Sequence, residues 1–216
     1  MKLMIAIPTL DFIHWNFAKS LVGLTQRLDK LDIDYDICFK GGTLVYLGRD
    51  ELAAEAINSH YTHVLWLDAD MVFNPDVFEK LLADDKEIVS GVYHSRHAPY
   101  QSNMFLDIRA PIRVTNYPEE VFEIDGCGFG MILVETKVLH EIYRKHGYCF
   151  QPEVGLGEDL SFCKRAKLAG YKIWCDPNVK AGHIGHVTIF PDMGNKEGAE
   201  HERVATAENE DRRGQY

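Results

Sequence analysis

Hydrophobic and polar positions along the chain alternate between two rhythms. Apolar runs of strand length fall at 3–8 (LMIAIP), 33–39, 62–67 and 87–93, and segments with apolar residues at helical spacing occupy 14–30, 50–59 and 75–84 between them. In the first helical segment Trp15, Ala18, Leu21, Val22 and Leu28 carry the spacing, Pro8 stops the strand before it, and Gly41-Gly42 marks a turn after the second strand. Such alternation predicts an α/β fold, a mixed and mostly parallel sheet with helices on both faces. Between Gln101 and Asp125 the pattern shifts to short alternating segments, which predict antiparallel strands. A strand at 131–134, helices at 136–146 and 158–169 and a strand at 171–175 complete the series. No internal repeat is present. Beyond about residue 190 the chain is polar and charged and cannot bury a core, which predicts one domain over 1–190 and a tail over 191–216.

The run THVLWLDADMVF places Asp68 and Asp70 directly behind an apolar strand. Strands apolar at nearly every position are covered on both faces, and ligands collect at the carboxyl ends of such strands in open α/β sheets. Carboxylates there suit Mg²⁺ or Mn²⁺, which could bridge to a diphosphate and neutralise its charge as it leaves. Acidic residues at strand ends also cap helices, but here Asn74 can act as N-cap with Pro75 at the first helical position, so the next helix has its own start signal.

Three further segments carry candidate chemistry. In GLGEDLSFCKRAKLAGYKIWC, Glu158 and Asp159 open a helix and Gly170 closes it; both acids favour a helix N-terminus, and an unpaired carboxylate can also take a proton from a hydroxyl. In AGHIGHV, His183 and His186 sit among glycines in what reads as a loop, and one imidazole with one or two carboxylates suits Mn²⁺ better than Mg²⁺. In DGCGFGMILV, the glycines around Gly128 permit a ligand to approach the backbone, or form a bulge or tight turn. The stretch YHSRHAPY reads as a flap with Arg96 near a diphosphate, or as a plain surface loop.

Composition narrows the partners. A net charge of −10, from 33 acidic and 23 basic residues with no basic run, argues against binding a nucleic-acid backbone. No stretch approaches the roughly 20 apolar residues of a membrane span and no signal peptide is evident, so a cytoplasmic location is expected. The 5 cysteines are never spaced C-x-x-C, which predicts buried, reduced thiols.

Taken in order, IPTL, LWLDADMVF, DGCGFGMILV, GEDLSFCKRAKLAGYKIW and GHIGH resemble the glycosyltransferases of the GT-A fold, in particular family-two-like bacterial and phage members, over roughly residues 3–190. The resemblance implies a transferase that moves a sugar from a nucleotide-sugar, with UDP-sugars favoured, to the hydroxyl of a saccharide acceptor, using Mn²⁺ or Mg²⁺. It implies that Pro8 and Thr9 end the first strand against the base, and that Arg49 and Gly128 approach the donor. It further implies that Asp68 contacts the ribose or reaches the metal through water, that Asp70 and His183 (in preference to His186) ligate the metal, and that Asp159 is the base of an inverting reaction with Glu158 beside it. The stretch 101–125 would build the acceptor side. An Asp-Asp-x-Ser after the second strand is missing, FKGG standing there instead. Two rival classes are a nucleotidyltransferase, whose Gly-rich basic loop after the first strand is absent from IPTLDFIHWNF, and a binding module that holds donor without consuming it.

Overall fold

The computed structural model describes residues 1–10 and 12–185, so His186 and the tail expected over 191–216 lie outside the described residues. In chain order the elements are β1 (Lys2–Pro8), α1 (Trp15–Lys30), β2 (Asp34–Lys40), α2 (Val45–Asn58), β3 (His63–Leu67), β4 (Met71–Phe73), α3 (Val77–Ala83), β5 (Ile88–Val92), β6 (Met104–Asp107), β7 (Ile112–Arg113), β8 (Phe122–Ile124), β9 (Gly126–Cys127), β10 (Met131–Glu135), α4 (Thr136–His146), α5 (Glu158–Leu168) and β11 (Ile173–His183).

The continuous apolar runs become the interior strands. Leu3 to Ile7 are wholly buried, as expected of a strand covered on both faces. The main sheet runs β2-β1-β3-β10-β5-β11-β4, with β8 paired to β11. β1 is parallel to β2 and β3, and β5 to β11, while β10 runs antiparallel between β3 and β5. The expected α/β sheet is therefore present. Helices cover both faces: α1 joins α3 through an Arg27–Glu79 ion pair at 2.7 Å, and Phe17 of α1 meets Phe73 edge-on at 6.1 Å. On the opposite face Trp66 packs against Phe129 and Phe150, and Phe150 stacks on Phe162 of α5 at 5.0 Å.

Several boundaries differ from the sequence pattern. α2 starts at Val45, not 50, because its N-cap Leu44 makes no side-chain cap and so leaves no sequence signal. α3 starts at Val77: Asn74 and Pro75 form a turn in which the Val77 N–H donates to the Asn74 carbonyl at 3.3 Å, so Asn74 is not the cap. β4, directly after the acidic pair, was not anticipated. β11 continues to His183 instead of stopping at 175, passing Pro177 in an irregularity between Asp176 and Lys180 and then pairing with β4. His183 is thus at a strand end, not in a loop. Of the antiparallel segments expected between 101 and 125, β6 and β7 form a separate three-stranded sheet with β9, and β8 joins β11. All five cysteines are free thiols, four of them buried and Cys38 half-buried.

Candidate active site

Parallel strands send their carboxyl ends to one side of the sheet, and the candidate residues gather there. Ala6 of β1 lies beside Trp66 of β3, so two residues further on Pro8 comes level with Asp68. The Thr9 N–H donates to the Lys40 carbonyl at 2.8 Å and its hydroxyl donates to the Phe12 carbonyl at 2.9 Å. His14 N–H reaches the Ala69 carbonyl at 3.2 Å, tying the loop after β1 to the backbone between the two aspartates. The Asp68 N–H in turn donates to Gly130 and the Met71 N–H to Asp68, both at 3.1 Å, so the acidic pair occupies a tight turn. Its two carboxylates point to different partners.

Asp68 faces Arg49 of α2, whose Nη2 donates to Oδ1 at 2.8 Å. Arg49 is 3% exposed, its guanidinium carbon lies 5.1 Å over the Phe129 ring, and Nε and Nη1 have no hydrogen-bond partner among the described residues. Burial alone would pull its pKa down, but the carboxylates of Asp68, Asp159 and Glu158 outweigh it and raise the pKa, so the cation persists. Burial pushes Asp68 up against the pull of Arg49. Asp159, at the start of α5, is pushed up to about 6 by burial and the neighbouring Glu158, with Arg49 opposing.

Asp70 has the opposite surroundings. His183 Nε2 lies 3.3 Å from Asp70 Oδ2, and the Arg96 guanidinium pairs with the same oxygen. Burial raises Asp70, but the hydrogen bond and charge of His183 together with Arg96 outweigh it and hold the carboxylate below its usual range. His183 is raised in turn, chiefly by its hydrogen bond to Asp70. Its Nδ1 lies 3.0 Å from the His94 carbonyl, which can only accept, so Nδ1 carries a proton; the hydrogen bond to Asp70 then belongs to the imidazolium, and the neutral ring turns an unprotonated Nε2 toward Asp70. A carboxylate beside an imidazole whose far nitrogen is anchored on a carbonyl is a donor set that fits Mn²⁺. Among the described residues no three His, Cys, Asp or Glu side chains converge as a ready-made metal set, since Asp68 is turned to Arg49.

Tyr93, immediately after β5, joins the two halves. It is 4% exposed; its hydroxyl accepts the Gly130 N–H at 2.9 Å and its ring meets His183 edge-on with centroids 5.8 Å apart. A Cβ at Gly128 would collide with the Tyr93 hydroxyl, and one at Gly130 would come within 2.8 Å of its ring. The space beside Gly128 is thus occupied by a phenol. Sequence reasoning missed Tyr93: the glycines at 126, 128 and 130 are visible in the sequence, but nothing there names the side chain that fills the space beside Gly128 and Gly130. Charge couplings tie Arg96, Asp70, His183, Tyr93, Asp68, Arg49, Glu158 and Asp159 into one neighbourhood, while Thr9 bonds to Lys40 and Phe12.

No family model matches the chain and no curated protein matches it by sequence. Solved structures match in fold. Protein A197 from STIV is 22% identical with a TM-score of 0.58, covering 85% of this chain and 86% of that one. The catalytic domain of Drosophila β1,4-galactosyltransferase 7, in complex with xylobiose, is 15% identical with a TM-score of 0.52, covering 93% and 81%. GalNAc-T7 with UDP, GalNAc and Mn²⁺ is 11% identical with a TM-score of 0.50, covering 86% of this chain and 44% of that one. At these identities the likeness is one of architecture, and the architecture is the GT-A fold of glycosyltransferase catalytic domains.

Proposed function

We propose that the chain is a metal-dependent glycosyltransferase that moves a sugar from a nucleotide-sugar, a UDP-sugar in the favoured reading, to a hydroxyl of a saccharide acceptor. One observation carries the reading: a charge-holding pair, Asp70 and His183, and a carboxylate of raised pKa, Asp159, open on the same end of the sheet. Two structures of the same fold are consistent with it, GalNAc-T7 with UDP, GalNAc and Mn²⁺, and a Drosophila β1,4-galactosyltransferase 7 variant with manganese, UDP-Gal and xylobiose.

In this reading Asp70 and His183 would hold Mn²⁺ or Mg²⁺, with Asp68 as a further carboxylate beside the ion or on the ribose, and the bound ion would supply positive charge against the departing diphosphate. Pro8 and Thr9 border the base, Arg49 keeps Asp68 ionised and oriented, and Arg96 is a second cation near the diphosphate. Asp159 accepts the proton of the acceptor hydroxyl as its oxygen bonds to the anomeric carbon, while the bond from that carbon to the phosphate oxygen breaks and its electrons leave with the diphosphate. Glu158 keeps Asp159 basic enough for that transfer, since a neighbouring negative charge disfavours a second one. Attack opposite the leaving group inverts the anomeric centre.

The test incubates the full chain with UDP-, GDP-, CMP- and dTDP-sugars, with and without Mn²⁺, and follows release of the nucleotide, a diphosphate from the UDP-, GDP- and dTDP-sugars and CMP from the CMP-sugars. Metal-dependent release from one donor class, abolished by Asp70→Ala, is expected. Full release by that variant would remove the metal assignment, and donor bound but never consumed would favour a binding module.

A further inference from the structure

β2 is one edge of the main sheet. Among the described residues no strand pairs with its outer side. It is seven residues long, contains neither proline nor a bulge, and pairs with β1 in unbroken register. Natural edges of this length are usually blunted by proline, bulges or charges, because an open ladder of N–H and C=O groups is a template for pairing; of these β2 carries the charges of Asp34, Asp36 and Lys40.

Its backbone parity is fixed by the Lys40 carbonyl, which accepts the Thr9 N–H at 2.8 Å on the β1 side. Alternate residues therefore aim the other way, so Tyr35, Ile37 and Phe39 direct their N–H and C=O groups outward. The same three residues carry the apolar side chains of the strand on one face, and Ile37 and Phe39 are 38% and 49% exposed. Asp34, Asp36, Cys38 and Lys40 share the other face.

We propose that β2 pairs antiparallel with β2 of a second copy of this chain about a two-fold axis through Ile37. The sequence DYDICFK is self-complementary in this register. Ile37 lies opposite Ile37 of the other copy and Tyr35 opposite Phe39, so all outward backbone groups enter three hydrogen-bonded pairs and the apolar face becomes continuous. On the other face Asp34 lies opposite Lys40 at both ends, opposite charges that reward this alignment. A shift by two residues toward the amino end would set Asp36 against Asp36. Lys40 also contacts Glu51 of α2, which holds its amino group at the strand end. The result is a dimer in which one sheet runs through both copies.

Sedimentation equilibrium of the full chain should give a dimer that dissociates on dilution. Asp34→Lys and Lys40→Asp should each weaken it at least tenfold, and the double swap should restore it. Melting temperature of each variant separates lost pairing from lost folding. Independently, Ile37→Cys in a Cys38→Ser background should cross-link to a covalent dimer under oxidised glutathione. Directly opposed residues in a hydrogen-bonded pair sit about 5.5 Å apart at Cα, within the roughly 4.4–6.8 Å that a disulfide spans. Phe39→Cys in the same background should not. A chain that stays monomeric at every concentration and fails to cross-link through position 37 would overturn the proposal, as would equal cross-linking at 37 and 39 or a dimer indifferent to the charge swaps.

Discussion

Asp70 and Asp159 are the same side chain at one end of one sheet, under opposite electrostatics. Around Asp70, His183 and Arg96 overcome burial and hold the carboxylate ionised. Around Asp159, burial and Glu158 overcome Arg49 and lift the carboxyl to about 6. The contrast separates two duties that a single kind of residue cannot perform in a single setting. A group that holds a cation must stay charged; one that takes and returns a proton must be able to do both near neutral pH.

The contrast can be broken from either side. The largest effect is expected for Asp70→Ala, a loss of about 10⁴-fold in turnover, because metal stabilisation of a leaving group is worth several kcal/mol and each 1.4 kcal/mol is a factor of ten. Steady-state rates across Mn²⁺ concentrations check it. Asp159→Asn should lower turnover by about 10³-fold with donor binding nearly intact. It should also raise the melting temperature near pH 7.5: a carboxyl with a raised folded pKa stabilises the fold below its unfolded pKa and loses that contribution as pH rises through about 6. Below pH 4 the advantage of the variant should vanish.

The pH profile sharpens the comparison next. Turnover should fall about tenfold per unit below an inflection near 6, where Asp159 becomes protonated, and Asp159→Asn should lose that inflection. Tyr93→Phe removes the acceptor of the Gly130 N–H and leaves a buried donor unpaired, a destabilisation of about 1–3 kcal/mol measurable by urea unfolding. The smallest effect belongs to Glu158→Gln, which should move the inflection to lower pH by less than one unit, since it removes the like charge that raises Asp159.

Much of this arrangement was legible in the sequence because it rests on local patterns. The continuous apolar runs became buried strands, α4 occupies the predicted 136–146, and the acids of GEDLS open α5 where the pattern placed them. What was hidden depends on contacts between distant segments. Pro177 reads as the end of a strand, yet β11 absorbs it in a bulge because β5 lies on one side and β4 on the other, and this carries His183 to Asp70. α2 begins early without a capping side chain. Tyr93 sits among polar neighbours in YHSRHAPY, and only the fold brings its ring over Gly128 and Gly130. The division of the two aspartates between Arg49 and His183 is likewise tertiary, since D-x-D spacing alone treats both as equivalent.

The direct measurement is a calorimetric titration of UDP with Mn²⁺ into three proteins: the unaltered chain, Asp70→Ala and Asp159→Asn. Separate duties within one site require that the unaltered chain and Asp159→Asn bind alike and that Asp70→Ala does not bind. Equal binding by Asp70→Ala, or a loss in Asp159→Asn as deep as in Asp70→Ala, would contradict it.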